Sequence, residues 1–230
     1  MSQCVWAQTT ETFETETVGS TTFTDSGQDF TITGTNYDIN SLTGGGWSGS
    51  APDNVFIDNT GESAGNDGTT MTIKTADGTD INVLSVYIFA ANTSLGAHSD
   101  ILSVTGKRDN AEVYTFSKST GFSNVASFSP FNGFTLIDFA VEGSSDFSIV
   151  SVDELIISST DDLEYMAIDA FTWNTPSSVP TSVTVSARTF LEGPYNGTSM
   201  NTNIVSDIPL SQPYTKYLFL LLVYMFVTLQ

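Results

Sequence analysis

The stretch Ile81-Asn-Val-Leu-Ser-Val-Tyr-Ile-Phe-Ala-Ala91 decides the fold class of this chain. It is almost continuously apolar and rich in β-branched and aromatic residues, and the turn signal Asp77-Gly78 precedes it. A strand that is covered on both of its faces has this composition. The sequence therefore predicts a central strand in a layered β protein.

The sequence on either side of this strand consists of short β runs separated by Gly, Asn, Asp and Ser turns. Thr69-Thr-Met-Thr-Ile-Lys-Thr75 alternates cleanly, which places Met71 and Ile73 on one face. Further runs lie at 21–24, 28–33, 101–105, 112–117, 134–141, 149–158 and 164–173. About nine or ten such strands predict an antiparallel β-sandwich of the jelly-roll type over residues 9–174, with a closed barrel as the alternative.

The remainder of the chain divides by composition into four segments. The last of them is wholly apolar but short for a membrane span, which needs roughly 20 apolar residues. We expect it to be either a short anchor or the product of a frameshift or truncation, and we expect membrane contact only in the first case. The segments are a signal-peptide remnant (1–8), a Pro/Ser/Thr linker (175–181), an incomplete second β module (182–213) and the apolar tail (214–230).

The charge balance limits the classes of partner. The chain has 26 acidic and 6 basic residues, a formal net charge of −20. Nucleic-acid backbones and anionic membrane surfaces would repel it, whereas Ca²⁺ would be attracted to its carboxylates. Solvation alone is the alternative explanation of the acidity. The Lys-poor surface and the signal-peptide remnant predict a secreted or cell-surface protein, and the single Cys4 allows no intrachain disulfide.

Three carboxylates are candidate metal ligands. Glu14 lies on the predicted first strand and Asp169 on the predicted last strand, and these strands are often neighbours in jelly rolls. Two carboxylates in a partly buried place repel each other unless they are protonated or bridged, and a Ca²⁺ would bridge them. The alternative is that each faces solvent. Asp153 is the third candidate, because the pair Asp153-Glu154 directs one carboxylate to each face, and a buried one needs a cation or a hydrogen-bond partner.

Three aromatic residues are candidate sugar-stacking side chains, because an apolar ring face can cover the C–H groups of a sugar. Trp47 lies in Gly44-Gly-Gly-Trp-Ser-Gly49 and is either a loop anchor or a binding platform. Tyr37 follows a turn, and Trp173 ends the last predicted strand, where core packing is the alternative.

The residues give little support to catalysis. His98 is the only histidine and lies in a polar loop, which leaves one imidazole for any Ser–His or metal chemistry. A glycosidase pair of carboxylates stays open, although no particular pair is indicated among so many acidic residues.

Three stretches resemble jelly-roll modules in large secreted or surface proteins of Bacteroidetes-type bacteria. They are Thr10-Glu-Thr-Phe-Glu-Thr-Glu16, Asp53-Asn-Val-Phe-Ile-Asp-Asn59 and Tyr165-Met-Ala-Ile-Asp-Ala-Phe-Thr-Trp173. The first and last are also similar to parts of carbohydrate-binding jelly rolls that contribute to a structural Ca²⁺. The resemblance implies that Glu14 and Asp169 are ligands. This chain has Ala170 where that family often has a second acidic or amide residue.

Two later stretches, Phe190-Leu-Glu-Gly-Pro-Tyr-Asn-Gly-Thr-Ser-Met200 and Ile208-Pro-Leu-Ser-Gln-Pro-Tyr214, resemble the start of a C-terminal secretion-associated segment of such proteins. Together these features predict a non-catalytic extracellular binding or adhesion module for a polysaccharide or cell-surface glycan, with one structural Ca²⁺. The alternatives are a structural spacer in a larger surface protein and a polysaccharide-active enzyme.

Overall fold

The computed structural model describes residues 8–50, 52–59, 67–92, 94–98, 100–123 and 131–176. Residues 1–7 of the predicted signal-peptide remnant lie outside this part of the chain. So do the linker from residue 177, the second module and the apolar tail, and these predictions stay predictions. Among the described residues, no helix is long and apolar enough to cross a membrane.

Within the described ranges, thirteen antiparallel strands form two sheets, which confirms the predicted all-β sandwich and excludes the closed barrel. In the first sheet the order is β4-β5-β13-β7-β10, with β1 also on β13 and β11 also on β7. Its strands are β1 (Thr9–Glu11), β4 (Asp38–Ser41), β5 (Val55–Asp58), β7 (Ile81–Ala91), β10 (Phe134–Asp138), β11 (Ser151–Val152) and β13 (Tyr165–Asn174).

The second sheet has six strands in the order β2-β3-β6-β12-β8-β9. They are β2 (Thr22–Asp25), β3 (Gln28–Gly34), β6 (Thr70–Thr75), β8 (Leu102–Arg108), β9 (Ala111–Lys118) and β12 (Glu154–Ser159). Its polar face carries paired hydroxyl groups, such as Thr105 opposite Thr115 and Ser103 opposite Ser117. This face shows the alternation that the sequence predicted.

Strand β7 is central, between β10 and β13, as its apolar sequence predicted. Val86 and Ile88 lie in the core between the sheets. Phe89 and Ala91 lie in a second apolar cluster that also contains Phe56 and Phe134. Because successive side chains of a strand point to opposite faces, this second cluster lies on the side of the first sheet that is turned away from the second sheet. We call that side the outer face.

An aromatic group fills one end of the core between the sheets. Phe23 stacks on Phe30 at 4.7 Å between ring centroids. Phe13, Phe171 and Trp173 meet this pair edge-on, at centroid distances of 5.2 to 6.4 Å. Four of the five come from the first two and the last strands of the module or from the turn after β1. The ends of the described chain are thereby held together by packing.

A bulge interrupts β13 between Asp169 and Thr172, and Ala170 has a φ of +47° there. On the edge of β13 opposite β7, pairing with β5 stops at Ile168 and pairing with β1 begins at Phe171. The first and last strands are therefore neighbours, as predicted. Between β5 and β1 the backbone of β13 has no strand partner on this side, and this gap positions the candidate site.

Candidate functional site

Carboxylates from three distant parts of the sequence converge at the gap between β1 and β5. Glu14 follows β1, and its Oε1 accepts hydrogen bonds from the backbone nitrogens of Asn54 and Val55, at 2.6 and 2.8 Å. Asp169 is fully buried at the bulge of β13. Its Oδ1 accepts from the nitrogen of Ala170 at 2.7 Å. Glu14 thus ties the end of β1 to the start of β5 beside Asp169.

Asp53 is the third member of this carboxylate cluster (Glu14, Asp53 and Asp169). It is 7% exposed, and its Oδ2 accepts from the nitrogen of Ser48 at 2.6 Å. Its Oδ1 is buried and has no hydrogen-bond partner. A Cβ atom on Gly46 would overlap Oδ1 of Asp53 and lie 3.0 Å from Oδ2 of Asp169. The two oxygens therefore flank the same point, where only glycine fits.

The electrostatics of Asp169 reflect this environment. Its pKa is raised to about 8, mainly by burial and to a smaller extent by the negative charges of Asp53 and Glu14. Backbone hydrogen bonds from Trp47 and Ala170 oppose the rise without cancelling it. A carboxyl group with this pKa is costly to ionise at neutral pH unless a cation compensates its charge.

The cluster fits a hard cation in charge and donor type. Burial of a carboxylate oxygen without a hydrogen-bond or metal partner, as for Oδ1 of Asp53, costs free energy. In the described residues, no group of three or more His, Cys, Asp or Glu side chains has the spacing of a ready-made metal site. Ca²⁺ takes six to eight oxygens, including backbone carbonyls and water, so it does not need three carboxylates at ligand distance. Asp53 and Asp169 would be its side-chain ligands, with Glu14 beside them.

The outer face of the first sheet carries a cavity of about 250 Å³. Its floor is aromatic, formed by Phe56, Phe89, Phe134 and Tyr165. Exposed Leu42 and Leu95 lie at its rim together with the amide of Asn132. The hydroxyl of Tyr165 donates to Oδ2 of Asp58 at 2.8 Å. Apolar walls with a few fixed polar groups are the usual lining of a small-molecule or sugar site.

Trp47 extends this aromatic surface. Its indole is half-buried and stacks on Tyr87 at 4.4 Å, with an interplanar angle of 24°. Phe131, which is 49% exposed, meets both rings at 5.4 and 6.2 Å. Of the two interpretations of Trp47, the loop anchor is supported by this stacking, while its partial exposure leaves it available as a platform.

The structure corrects the predicted ligand contacts of Tyr37 and Trp173. Tyr37 is 3% exposed, and its hydroxyl is hydrogen-bonded to Oγ1 of Thr69 at 3.0 Å. Trp173 is 2% exposed, and its indole nitrogen donates to Oδ2 of Asp25 at 2.7 Å. Both rings belong to the core between the sheets, Trp173 from the inward face of β13 and Tyr37 from the residue before β4.

The structure also separates Asp153 from the other predicted metal ligands. Asp169 pairs with Tyr87 of β7, whereas Val152, the neighbour of Asp153, pairs with Ile81 at the other end of the same strand. Six residues of a strand span about 20 Å. Oδ2 of Asp153 accepts from the backbone nitrogen of Asp109 at 3.1 Å, and its Oδ1 is buried without a partner. Asp153, between β11 and β12, therefore binds the turn between β8 and β9.

Asp53 and the aromatic residues that line the cavity were not identified from the sequence, whereas Trp47 was. Asp53 lies in the loop between β4 and β5. The periodicity of apolar residues predicts which face of a strand is buried, but it does not predict that a loop residue contacts β13, more than a hundred residues later. Phe56, Phe89 and Phe134 alternate with inward residues, so both faces of β5, β7 and β10 are apolar. That double-sided pattern was the available signal for the outer cluster.

The known proteins similar to this chain include two solved structures with low TM-scores. No family model matches the chain, and no curated protein sequence matches it. One similar structure is that of the CBM22-1–GH10 modules of endo-1,4-β-D-xylanase 10B from Clostridium thermocellum, complexed with xylohexaose. The TM-score is 0.36 at 11% identity, and the match covers 76% of this chain and 29% of that one.

A second similar structure is the K1 cleaved adhesin domain of Lys-gingipain from Porphyromonas gingivalis. The TM-score is 0.38 at 10% identity, with 74% of this chain and 99% of that one covered. These values assign no function to this chain. The described residues define a β-sandwich module with an aromatic outer face.

Proposed function

We propose that residues 9–174 form a non-catalytic extracellular binding or adhesion module. It takes a polysaccharide or cell-surface glycan on the outer face of the first sheet, and one structural Ca²⁺ lies at the carboxylate cluster. The proposal is carried by the outer face, where an aromatic-floored cavity lies in the same apolar cluster as the Trp47–Tyr87 stack.

The chemistry of this face suits sugars. Aromatic rings cover the apolar faces of sugar rings, and fixed amide and carboxylate groups bind hydroxyls. Asn132 is such a group in the lining of the cavity, and the hydroxyl of Tyr165, held by Asp58, adds a second polar group. The four described Lys and Arg side chains form ion pairs with Glu154, Asp80 and Glu142, outside the lining of the cavity. We therefore favour a neutral glycan over an acidic one.

The Ca²⁺ half of the proposal is supported by Oδ1 of Asp53 and by the buried carboxyl group of Asp169. One cation would compensate the charge of both carboxylates and would be bound by the oxygen that has no hydrogen-bond partner. Its role would be structural, because the cluster joins β1, β5 and β13 at the gap in the sheet.

Two other functions are distinguished by specific features. A structural spacer is favoured by the burial of Tyr37 and Trp173, and it predicts no glycan binding at all. A glycosidase would need two carboxylates facing each other across an accessible groove. Asp53 and Asp169 are close but are covered by Gly46 to Ser48, so a sugar cannot enter between them.

We expect Trp47→Ala to weaken glycan binding at least about ten-fold, because the variant loses the ring that stacks over Tyr87. The measurement is a glycan array, followed by affinity electrophoresis in gels that contain soluble xylan, mixed-linkage β-glucan or mannan.

The matched control is Trp173→Phe, which changes a tryptophan of the core. It should lower the melting temperature, because Asp25 loses the indole donor, and it should leave glycan affinity unchanged. Absence of binding to every glycan on the array by the wild type would refute the binding function and favour the spacer. Equal binding by wild type and Trp47→Ala would move the site away from Trp47.

A further inference from the structure

The segment Gly46–Ser48 connects the carboxylate cluster to the outer face. The nitrogen of Trp47 donates to Oδ2 of Asp169 at 3.0 Å, and the nitrogen of Ser48 donates to Oδ2 of Asp53 at 2.6 Å. Between these nitrogens, the side chain of Trp47 leaves the segment and stacks on Tyr87. The backbone of one residue is thus bound by the cluster while its ring forms part of the aromatic surface.

Oδ1 of Asp53 is buried without a hydrogen-bond partner, and it flanks, together with Oδ2 of Asp169, the position that a Cβ atom of Gly46 would take. A divalent cation bound by Asp53 and Asp169 would supply the missing partner and would fix both carboxylates in place. Their Oδ2 atoms are the acceptors for the nitrogens of Ser48 and Trp47. The segment is then bound firmly at both nitrogens.

Other contacts hold the neighbouring part of this loop and do not depend on the cluster. The nitrogen of Gly44 donates to Oδ1 of Asn54 at 2.7 Å, and the amide of Asn132 donates to the carbonyl oxygens of Gly44 and Gly46 at 2.9 and 3.2 Å. A change at the cluster should therefore displace Trp47 and Ser48 locally and leave the loop attached.

We propose that Ca²⁺ at the carboxylate cluster controls the glycan affinity of the outer face by fixing the Trp47 indole over Tyr87. This inference rests on the proposed function and adds its regulation. The coupling is reciprocal, so a bound glycan raises the affinity for Ca²⁺ by the same factor. Coupling between two such sites is typically about 5- to 150-fold in affinity.

The first test uses Ca²⁺ alone as the probe and does not need a glycan. Chelator-treated protein is titrated with Ca²⁺ while two properties are followed, the melting temperature and the quenching by acrylamide of Trp47 fluorescence. The Trp47 signal is obtained as the difference between the wild type and Trp47→Phe. We expect Ca²⁺ to raise the melting temperature and to protect Trp47 from quenching over the same concentration range.

Asp53→Asn and Asp153→Asn form a matched pair of variants. Each replaces a buried aspartate that has one unpartnered oxygen and one oxygen bound to a backbone nitrogen. Asp53→Asn should abolish the protection of Trp47 by Ca²⁺, and Asp153→Asn should preserve it.

The second test repeats the affinity electrophoresis in xylan, β-glucan and mannan with Ca²⁺ or with EDTA. We expect EDTA to weaken retention of the wild type and of Asp153→Asn, and to have no effect on Asp53→Asn. A rise in melting temperature without protection of Trp47 would overturn the coupling and leave the Ca²⁺ site standing. Absence of any effect of Ca²⁺ on melting would overturn both. Protection of Trp47 without glycan retention would support the positioning by Ca²⁺ and refute the glycan-binding function.

Discussion

Asp169→Asn is expected to make the Ca²⁺-free protein more stable than the wild type at pH above about 8, and to remove its stabilisation by Ca²⁺. The pKa of Asp169 is about 8 in the folded protein, against an ordinary value of 3.8. Folding therefore favours the protonated carboxyl group. Its contribution is complete below about pH 4, decreases as the pH rises, and is lost above about pH 8.

The difference between these two values corresponds to a penalty on the order of 6 kcal/mol for ionised Asp169 in the folded protein. An asparagine avoids that penalty because it carries no charge. Its Nδ2 cannot accept one of the two backbone hydrogen bonds that Asp169 accepts, which costs about 1–3 kcal/mol and leaves a net gain for the variant at high pH. The measurement is the melting temperature of both proteins in EDTA over the range from about pH 4 to about pH 9. The wild type should lose stability relative to the variant throughout this rise.

Addition of Ca²⁺ reverses the order. The ion compensates the ionised carboxylate, so the wild type should gain stability at high pH while Asp169→Asn does not respond. Parallel melting curves for the two proteins across the pH range, with and without Ca²⁺, would show that Asp169 is neither strongly perturbed nor a ligand.

Gly46→Ala is expected to remove the response to Ca²⁺ without changing any charge. Its Cβ would overlap Oδ1 of Asp53, and the carboxylate would have to turn away from Ser48. Overpacking of this kind costs about 1–3 kcal/mol in stability. We also expect the affinity for Ca²⁺ to fall at least about ten-fold, because one ligand is displaced.

Calorimetric titration with Ca²⁺ and thermal melting measure the two effects. Ser48→Ala is the control, because it changes the same loop and keeps the backbone nitrogen that donates to Asp53. It should bind Ca²⁺ as the wild type does. If Gly46→Ala binds Ca²⁺ as tightly as the wild type does, the ion does not lie between Asp53 and Asp169.

The strands that the sequence predicted well are those that lie between two other strands of a sheet, where the pattern of apolar residues follows burial directly. β7 has the predicted bounds, and β6 alternates as predicted, because each is surrounded by other strands. β4 and β5 were not predicted as strands. They have four residues each, and Asp38 and Asp58, which disfavour strands, lie at their ends. Their pairing with each other and with β13 provides the stability that their sequences lack.

The residues of the candidate site likewise include some that the sequence predicted and some that it did not. The convergence of Glu14 and Asp169 was predicted from a family resemblance and from the expected pairing of the first and last strands. That pairing is a property of the whole fold and can be anticipated from the strand pattern. Asp53 was not predicted, since its position depends on the path of the loop between β4 and β5. Tyr37 was predicted to stack on a sugar, as an aromatic residue near a glycine-rich loop. It shares its face with Ile39, two residues later, and both are buried.

The pairing of β1 with β13 has a consequence for the order of events in synthesis. Thr9 to Glu11 pair with residues 171 to 173, so the outermost strands of the module depend on contacts across almost its entire length. β13 is also central to its sheet, between β7 and β5. A ribosome releases the chain from its N-terminal end, and contacts between distant segments form slowly. The first sheet therefore cannot be completed until residue 174 has left the ribosome. Until then its apolar strands stay unpaired and are exposed to aggregation.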